Sequence, residues 1–284
     1  MSIQWFPGHM HAARKKAAKT MEKVDLVLEI VDSRLPLASS NPLIEELRLI
    51  CQKPMIKVLN KSDLADSLAT SEWVSFFKKQ KKIDVMVISC KEYFQIDKMF
   101  KICKDLIPFR GTSIKPLRVM IMGVPNVGKS SLLNLLNKKK IAKVGNEPAI
   151  TKNQQKQIIR DKFIFIDTPG LLWPKIDSDL VGLMLAASNS VGVNAYDHEE
   201  VALFLANQFI MYYPKYLNER YSVNVENFDS VSLLEYIGIK RSLIIRGGKV
   251  DFLKASKTLI QDYRSGILGR ISLETPSRLD DLAK

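Results

Sequence analysis

Cysteine pairs, long apolar runs and repeats are all missing from this sequence. Its three cysteines, Cys51, Cys90 and Cys103, form no C-x-x-C pair, so neither disulfides nor a zinc site is indicated, and a reducing compartment is expected. No apolar run approaches the roughly 18 residues of a membrane helix, and internal repeats and low-complexity tracts are not evident. These absences predict a globular protein without a membrane role.

The apolar region that a secretory signal needs is missing as well. A basic cluster at 14–19 follows the first apolar stretch, and no apolar region comes after it. Residues 12–21 are basic and compatible with a helix, so a mitochondrial transit peptide stays open as an alternative. The aromatic block W-F-P-G at 5–8 instead favours a packed structural segment. We therefore expect a cytoplasmic protein.

Acidic residues are scarce in the first part of the chain. The net charge is +13, from 43 Lys and Arg against 30 Asp and Glu, and residues 1–175 hold 31 of the basic but 16 of the acidic residues. A second basic stretch, 235–278, has nine basic against four acidic residues. This asymmetry favours a polyanionic partner. Runs such as 78–82 are also typical of solvated helix ends, so charge alone leaves nucleic-acid binding open.

Strand-like apolar runs alternate with helical patterns up to residue 166. Most of the runs are continuously apolar, as is typical of central parallel strands covered on both faces. The alternation predicts an α/β fold with a mainly parallel sheet and helices on both faces. The predicted strands are 26–31, 55–59, 85–89, 117–122 and 163–166, and the predicted helices are about 42–50, 72–80, 96–106 and 129–137.

The strand signal fades after Gly170. Asp197 and Glu200 predict a capping box that opens an apolar helix through Met211, and further helical stretches lie at 233–237 and 252–264. We predict two domains, an α/β domain at 1–176 with a basic N-terminal segment at 1–23, and a smaller all-helical domain at 177–284. Residues 109–116 are predicted to be a linker.

The motif G-x-x-x-x-G-K-S occupies residues 123–130, directly after a predicted strand and before a predicted helix. Its glycines let backbone N–H groups close around phosphate oxygens, and the helix N-terminus adds a favourable dipole. Lys129 is expected to reach the β- and γ-phosphates and the Ser130 hydroxyl to hold Mg²⁺. A chance glycine turn is the alternative, which this setting disfavours. The predicted nucleotide-binding residues of this loop are Pro125, Asn126, Val127, Gly128, Lys129, Ser130 and Ser131.

A second motif, N-K-S-D at 60–63, follows another predicted strand and indicates which base is bound. The Asp63 carboxylate can accept hydrogen bonds from guanine N1–H and N2–H₂, whereas adenine offers no matching donors, so the unpaired carboxylate makes adenine unfavourable. Asn60 is expected to brace the loops, and the Lys61 stem to lie along the base. On its own, this motif is also compatible with a simple turn after a strand. The guanine interpretation gains support from S-C-K at 89–91, which resembles the S-A-K element whose backbone N–H contacts guanine O6. The predicted base-side residues are Asn60, Lys61, Ser62, Asp63, Ser89, Cys90 and Lys91.

A third motif, D-x-x-G, ends a further predicted strand at 167–170. Asp167 is expected to hold Mg²⁺ through water, and the Gly170 N–H to sense the γ-phosphate. Thr151 is the candidate for the switch I threonine that completes the Mg²⁺ coordination, since Thr112 and Thr168 are less well placed. A Ras-like GTPase carries the phosphate loop first and N-K-x-D later, whereas here N-K-x-D comes first. The sequence therefore predicts a circularly permuted Ras-like P-loop G domain, in which the segment after Gly170 leads directly into the second domain.

Three further motifs carry a resemblance to a known family. They are W-F-P-G-H-M at 5–10, D-S-R-L-P at 32–36, and D-Y-R-S-G at 262–266 with Gly269 and Arg270. With the permuted order, they resemble the ribosome biogenesis GTPase A (YlqF) family over nearly the whole chain. The resemblance implies a GTPase that binds the large ribosomal subunit precursor late in assembly and contacts its rRNA, in bacteria or in an organelle. One departure is Ala149, where the family usually has glycine.

The position after D-x-x-G, where Ras-like enzymes carry a glutamine that orients the attacking water, is Leu171. His9 is a candidate catalytic substitute, and its alternative roles are to cap the first helix or to touch an RNA phosphate. A K⁺ ion held by Asn126 is a second candidate, because this asparagine resembles one that coordinates K⁺ in other GTPases.

Two functional hypotheses remain open at the level of sequence. The first is an enzyme that hydrolyses GTP to drive ribosome assembly, with rRNA and ribosomal proteins as partners and a monomeric state off the ribosome. The second is a nucleotide-gated checkpoint with negligible intrinsic hydrolysis, which the missing glutamine favours. The predicted RNA-contacting residues are Lys15, Lys16, Lys240, Arg241, Lys249, Lys254, Lys257, Arg264 and Arg270, together with the runs 78–82 and 138–140.

Overall fold

Six strands form one sheet in the order β3-β2-β1-β4-β6-β5. The computed structural model describes residues 7–80, 82–91, 95–137, 155–173, 176 and 178–279. Strands β1 to β4 and β6 pair in parallel, and β5 pairs antiparallel with β6 at one edge. The strands are β1 Leu26–Asp32, β2 Met55–Asn60, β3 Ile83–Val87, β4 Leu117–Met122, β5 Gln155–Ile159 and β6 Phe163–Asp167.

Five helices accompany the sheet and five follow it in the part of the chain that the structure describes. Short 3-10 turns occur at Ser62–Leu64, Val193–Ala195 and Pro276–Arg278. No helix within the described ranges is long and apolar enough to cross a membrane. The helices are α1 Pro7–Met21, α2 Pro42–Ile50, α3 Ser67–Lys78, α4 Gln95–Leu106, α5 Lys129–Asn137, α6 Asp179–Ala187, α7 His198–Tyr212, α8 Pro214–Tyr221, α9 Ser230–Lys240 and α10 Phe252–Ser265.

Polar N-cap residues set where several of these helices begin. Asp229 and Ser232 form a reciprocal capping box at the start of α9. Asp197 caps α7 as predicted, but its carboxylate accepts the backbone N–H of Glu199 at 2.8 Å. The helix therefore has a single side-chain cap and not the predicted capping box with Glu200. The Asp197 carboxylate already accepts a hydrogen bond from an otherwise unpaired N–H of the first turn, that of Glu199.

The sheet is covered on both faces, as the apolar strands predict. Met21, Ile44 and Leu171 belong to a buried cluster on one face. The cluster on the other face extends from the sheet into the C-terminal helices, and includes Phe165 and Phe209. The apolar core is thus continuous across residue 176, and the division into two domains at that point stays a prediction.

The five predicted strands and the four predicted helices between them are present, whereas three elements were missed. Strand β5 was missed because it is an edge strand, with Ile158 63% exposed and Ile159 buried, and so lacks a continuous apolar run. Helices α6 and α8 were also not predicted. The predicted linker at 109–116 connects α4 to β4, and Phe109 and Ile114 are largely exposed there.

Candidate nucleotide site

Four predicted loops meet at the carboxyl edge of the parallel strands. The phosphate loop follows β4, D-x-x-G follows β6, N-K-x-D follows β2 and S-C-K follows β3. Strands β1 and β4 are neighbours at the centre, and the chain proceeds from them towards opposite edges of the sheet. Ligands of open α/β sheets bind in the crevice outside such a switch point. The topology therefore brings all four loops to one crevice.

The phosphate loop is shaped by glycines with backbone conformations that other residues rarely adopt. Gly123 and Gly128 have φ values of +147° and +100°. Lys129, the first residue of α5, is buried and donates from Nζ to the carbonyls of Gly123 at 3.1 Å and Val124 at 2.7 Å. Burial lowers the pKa of Lys129 to about 8, although the Asp167 carboxylate opposes this shift. The ammonium is thus held inside the loop, at the start of a helix.

The base-side loop and the phosphate loop are in direct contact. Asn60 Nδ2 donates to the Val127 carbonyl at 2.7 Å, and Cys90 Sγ lies 3.3 Å from Asn60 Oδ1. A Cβ atom on Gly128 would lie 2.2 Å from Asn60 Nδ2. Asn60 therefore braces the two loops as expected, and glycine at 128 permits the contact.

Replacement of Gly128 by alanine is expected to weaken GDP and GTP binding by at least tenfold. The new Cβ displaces the Asn60 amide, and the positive φ adds about 1–2 kcal/mol of backbone strain. Nucleotide affinity and the melting temperature should both be measured. Gly247→Ala is the matched control, because Gly247 has φ +91° with no atom within 4 Å of the added Cβ. Equal losses of affinity in the two variants would contradict the proposed role of this contact.

Asp63 lies at the predicted base-binding end of the crevice. Its carboxylate accepts from Ser89 Oγ at 2.9 Å and from Lys91 Nζ at 2.5 Å. Burial favours the neutral acid, but the hydrogen bonds from Lys91 and Ser89 outweigh it and lower the pKa of Asp63. The two predicted guanine elements therefore meet, and Asp63 is held as an ionised acceptor.

Ser130 and Asp167 lie together at the phosphate end, and their chemistry suits a hard cation. Ser130 Oγ lies 3.4 Å from Asp167 Oδ2. Asp167 is fully buried, and its Oδ1 atom has no hydrogen-bond partner among the described residues. Burial raises the pKa of Asp167, against the attraction of Lys129. An orphaned carboxylate oxygen beside a hydroxyl fits Mg²⁺. Thr151, the third predicted ligand, lies outside the described residues.

The segment after Gly170 is packed against the phosphate loop. The Leu171 N–H donates to the Gly123 carbonyl at 3.2 Å, and Asn41 Nδ2 donates to the Leu171 carbonyl at 2.7 Å. A Cβ on Gly170 would lie 2.8 Å from Pro125 Cα, so the two loops approach closely. The side chain of Leu171 is buried, which leaves this position unable to orient a water molecule. His9 lies in α1, but its side chain is outside the described part.

Arg264 is only partly exposed, unlike the other individually named residues that were predicted to contact RNA. Two of the exposed ones, Arg241 and Lys254, form ion pairs with Asp262 and Asp251. Arg264 donates from Nη2 to the Ala186 carbonyl at 2.7 Å and to the Tyr196 hydroxyl at 2.9 Å, and from Nε to the Ala187 carbonyl at 3.0 Å. Its guanidinium is therefore oriented by the last turn of α6. Residues 138–140 are not among the described ones. The exposed members are Lys15, Lys16, Lys240, Arg241, Lys249, Lys254, Lys257 and Arg270.

The fold and the site define a P-loop GTPase whose sequence motifs stand in circularly permuted order. Residues 118–229 match the family model described as "50S ribosome-binding GTPase". The chain is 37% identical to ribosome biogenesis GTPase A of Bacillus cereus over 99% of this chain and 96% of the relative. It is 29% identical to mitochondrial ribosome-associated GTPase 1 of Mus musculus over 95% of this chain and 90% of that relative.

Two similar solved structures come from the same family as the sequence relatives. GNP-bound YlqF from T. maritima is 27% identical with a TM-score of 0.66, covering 93% of this chain and 98% of that structure. GDP-bound TM YlqF is 26% identical with a TM-score of 0.66, covering 92% and 99%. The chain belongs to the ribosome biogenesis GTPase A (YlqF) family.

Proposed function

We propose that the crevice binds GTP and hydrolyses it to GDP and phosphate, with Mg²⁺ as the cofactor. The Asn60–Val127 contact carries this proposal, since it places the base-selecting loop beside the phosphate loop. Asp63 reads the guanine edge, Lys129 moves from the loop carbonyls onto the β- and γ-phosphates, and Gly170 senses the γ-phosphate. Ser130 and Asp167 would hold Mg²⁺, which would neutralise negative charge on the phosphate.

Activation of the attacking water needs a group other than Leu171. We propose two candidates, the His9 imidazole and a K⁺ ion coordinated by Asn126. Asn126 has φ +59°, and its Nδ2 donates to the Asn189 carbonyl at 2.7 Å. This bond orients the side-chain amide of Asn126, which lies within the phosphate loop. Measurement of hydrolysis in K⁺ and in Na⁺ separates the two candidates.

The cellular role that we propose is a late step in assembly of the large ribosomal subunit. The names of the relatives concern ribosome biogenesis and ribosome association, and the exposed lysines and arginines suit the phosphates of rRNA. GTP-bound protein docks on the precursor through rRNA and ribosomal proteins, and hydrolysis stimulated by the subunit releases it. We propose a monomer in the bacterial cytoplasm, with a mitochondrial setting as the alternative.

A second candidate function is a nucleotide-gated checkpoint that barely hydrolyses GTP. The buried Leu171 in place of a glutamine favours it for the isolated protein. Under this hypothesis the nucleotide selects a bound or a free state, and turnover stays negligible even on the ribosome.

Sedimentation with large ribosomal subunits tests the proposed role. We expect more protein in the pellet with a non-hydrolysable GTP analogue than with GDP, and faster GTP hydrolysis when subunits are added. Reversal of charge at Lys254 and Lys257 should weaken binding. It should also reduce the slope of log K against log salt concentration by about 0.7–0.9 for each phosphate contact that is lost. Lys215→Glu, at an exposed lysine outside the basic stretches, is the control. Nucleotide-dependent binding without any stimulation would favour the checkpoint, and equal binding in both states would exclude both functions.

A further inference from the structure

A buried carboxylate holds the lysine of the guanine motif. Asp32 is the last residue of β1 and is fully buried. Its Oδ2 atom accepts from Lys61 Nζ at 2.8 Å. Lys61 itself has φ +62° and opens the turn that carries Asp63. The ammonium therefore points under the loop, towards the centre of the sheet.

Arg34 holds this carboxylate in place from the other side. Its Nε donates to Asp32 Oδ1 at 3.0 Å and its Nη2 to Asp32 Oδ2 at 2.8 Å, and both side chains are almost completely buried. A bidentate pair of this kind fixes the orientation of the carboxylate as well as its charge. The Arg34 and Lys61 cations keep the pKa of Asp32 well below its usual range, although burial opposes them.

The same arginine is anchored on the C-terminal helices. Arg34 Nη1 donates to the Tyr263 carbonyl at 3.3 Å, and the guanidinium carbon lies 4.7 Å from the centroid of the Tyr263 ring. Tyr263 belongs to α10. A chain of contacts therefore runs from Lys61 through Asp32 and Arg34 to α10.

The segment after α10 reinforces this connection on the backbone. The Ile271 N–H donates to the Leu64 carbonyl at 3.0 Å, and the Asp66 N–H donates to Ser272 Oγ at 3.1 Å. The Leu273 N–H donates to the Arg34 carbonyl at 2.8 Å. Both the loop after N-K-S-D and the turn that carries Arg34 are thus pinned by residues from the far end of the chain.

We propose that Asp32 and Arg34 are positioning residues of the guanine site, which hold Lys61 in its base-binding conformation and link the guanine loop to α10. A free lysine side chain loses rotamer entropy when it is ordered. With its ammonium already fixed by Asp32, the Lys61 stem is ordered before the base arrives, so binding does not carry that cost. By linkage, a partner that shifts α10 changes the affinity for guanine nucleotides, and the nucleotide changes the affinity for that partner. The inference rests on the guanine site proposed above.

Substitution of Lys61 by methionine and of Asp32 by asparagine tests the inference. We expect each variant to bind GDP about tenfold more weakly, and to raise the KM for GTP by a larger factor than it lowers kcat. Both changes remove the same contact. The affinity of the double variant for GDP should therefore be no lower than that of the single variant with the lower affinity. Additive losses, or unchanged GDP affinity in Lys61→Met, would overturn the proposal. If Asp32→Asn does not fold, Lys61→Met decides alone, since it leaves the Asp32–Arg34 pair intact.

Lys57→Met supplies a matched control on the same two strands. Lys57 is a buried lysine of β2 whose Nζ lies 2.8 Å from Glu29 Oε2 on β1. Its replacement should lower the melting temperature and leave GDP affinity unchanged, so loss of affinity there would mean that general destabilisation explains the Lys61 result. Asp63→Asn separates the two proposals. If it alone reduces guanine affinity, the guanine site stands and the positioning role fails, and if it has no effect, the guanine site itself is wrong.

Discussion

Replacement of Asp63 by asparagine is expected to change the preferred nucleotide from GTP to XTP. The carboxylate offers two acceptors to the two donors of the guanine edge, whereas the amide offers one acceptor and one donor. Xanthine carries a 2-oxo group in place of the 2-amino group, so it matches the amide. Loss of a charge-assisted hydrogen bond and an unmatched amide donor should reduce GTP affinity by about 100-fold or more. Competition of GTP, XTP and ATP against a labelled nucleotide measures the change.

Asp66→Asn is the control for this substitution. Asp66 lies three residues further on, and its carboxylate caps α3 by accepting the Ala69 N–H at 2.9 Å. Asparagine is an equally good N-cap, so neither stability nor base preference should change. An unaltered preference for GTP in Asp63→Asn would mean that the base is read elsewhere.

Replacement of Lys129 by methionine is expected to reduce GTP hydrolysis by about 100- to 1000-fold. The ammonium is the cation of the phosphate loop, and removal of a group that stabilises charge developing in the transition state has effects of this size. Single-turnover hydrolysis with saturating protein separates the loss of rate from the loss of affinity. Lys162→Met, at an exposed lysine just before β6, should leave the rate unchanged.

The same substitution is expected to leave the nucleotide-free protein as stable or more stable. Burial lowers the pKa of Lys129 to about 8 from its usual 10.5. The unfolded chain therefore binds more protons than the folded one between those pH values, and the free energy of unfolding of the parent protein should rise with pH across that window. The methionine variant should lack this rise. A fall in both stability and activity would indicate a damaged fold rather than a lost phosphate ligand.

The contiguous motifs were predictable because each depends on neighbours in sequence. The phosphate loop lies between a strand and a helix, and the observed β4 and α5 have the predicted bounds of 117–122 and 129–137. Apolar runs predict strands that are buried on both faces, and they fail for β5, which is the last strand of the sheet among the described residues. The prediction of a capping box at Asp197 was wrong because the Asp197 carboxylate accepts the N–H of Glu199.

The contacts between distant segments were not predictable. Arg264 was expected to contact RNA because a positive charge is evident from the sequence. Its hydrogen bonds instead go to the last turn of α6, 77 and 78 residues away in the chain, and to Tyr196, 68 residues away. Asp32 and Arg34 were noticed only as part of a family motif. Their connection with Lys61 and Tyr263 depends on which strands are neighbours in the sheet, and on a C-terminal segment that returns to it.

The sequence by itself determined the motifs available to this protein: G-x-x-x-x-G-K-S, N-K-x-D and D-x-x-G, and the permuted order in which they occur. Such motifs are local, because each motif needs only a strand, a turn and the right side chains. The tertiary structure decided which of these groups touch, that the core continues into the C-terminal helices, and that α10 reaches the guanine loop through buried charges. Those outcomes depend on packing and desolvation between segments far apart in the chain, and local sequence patterns do not record them.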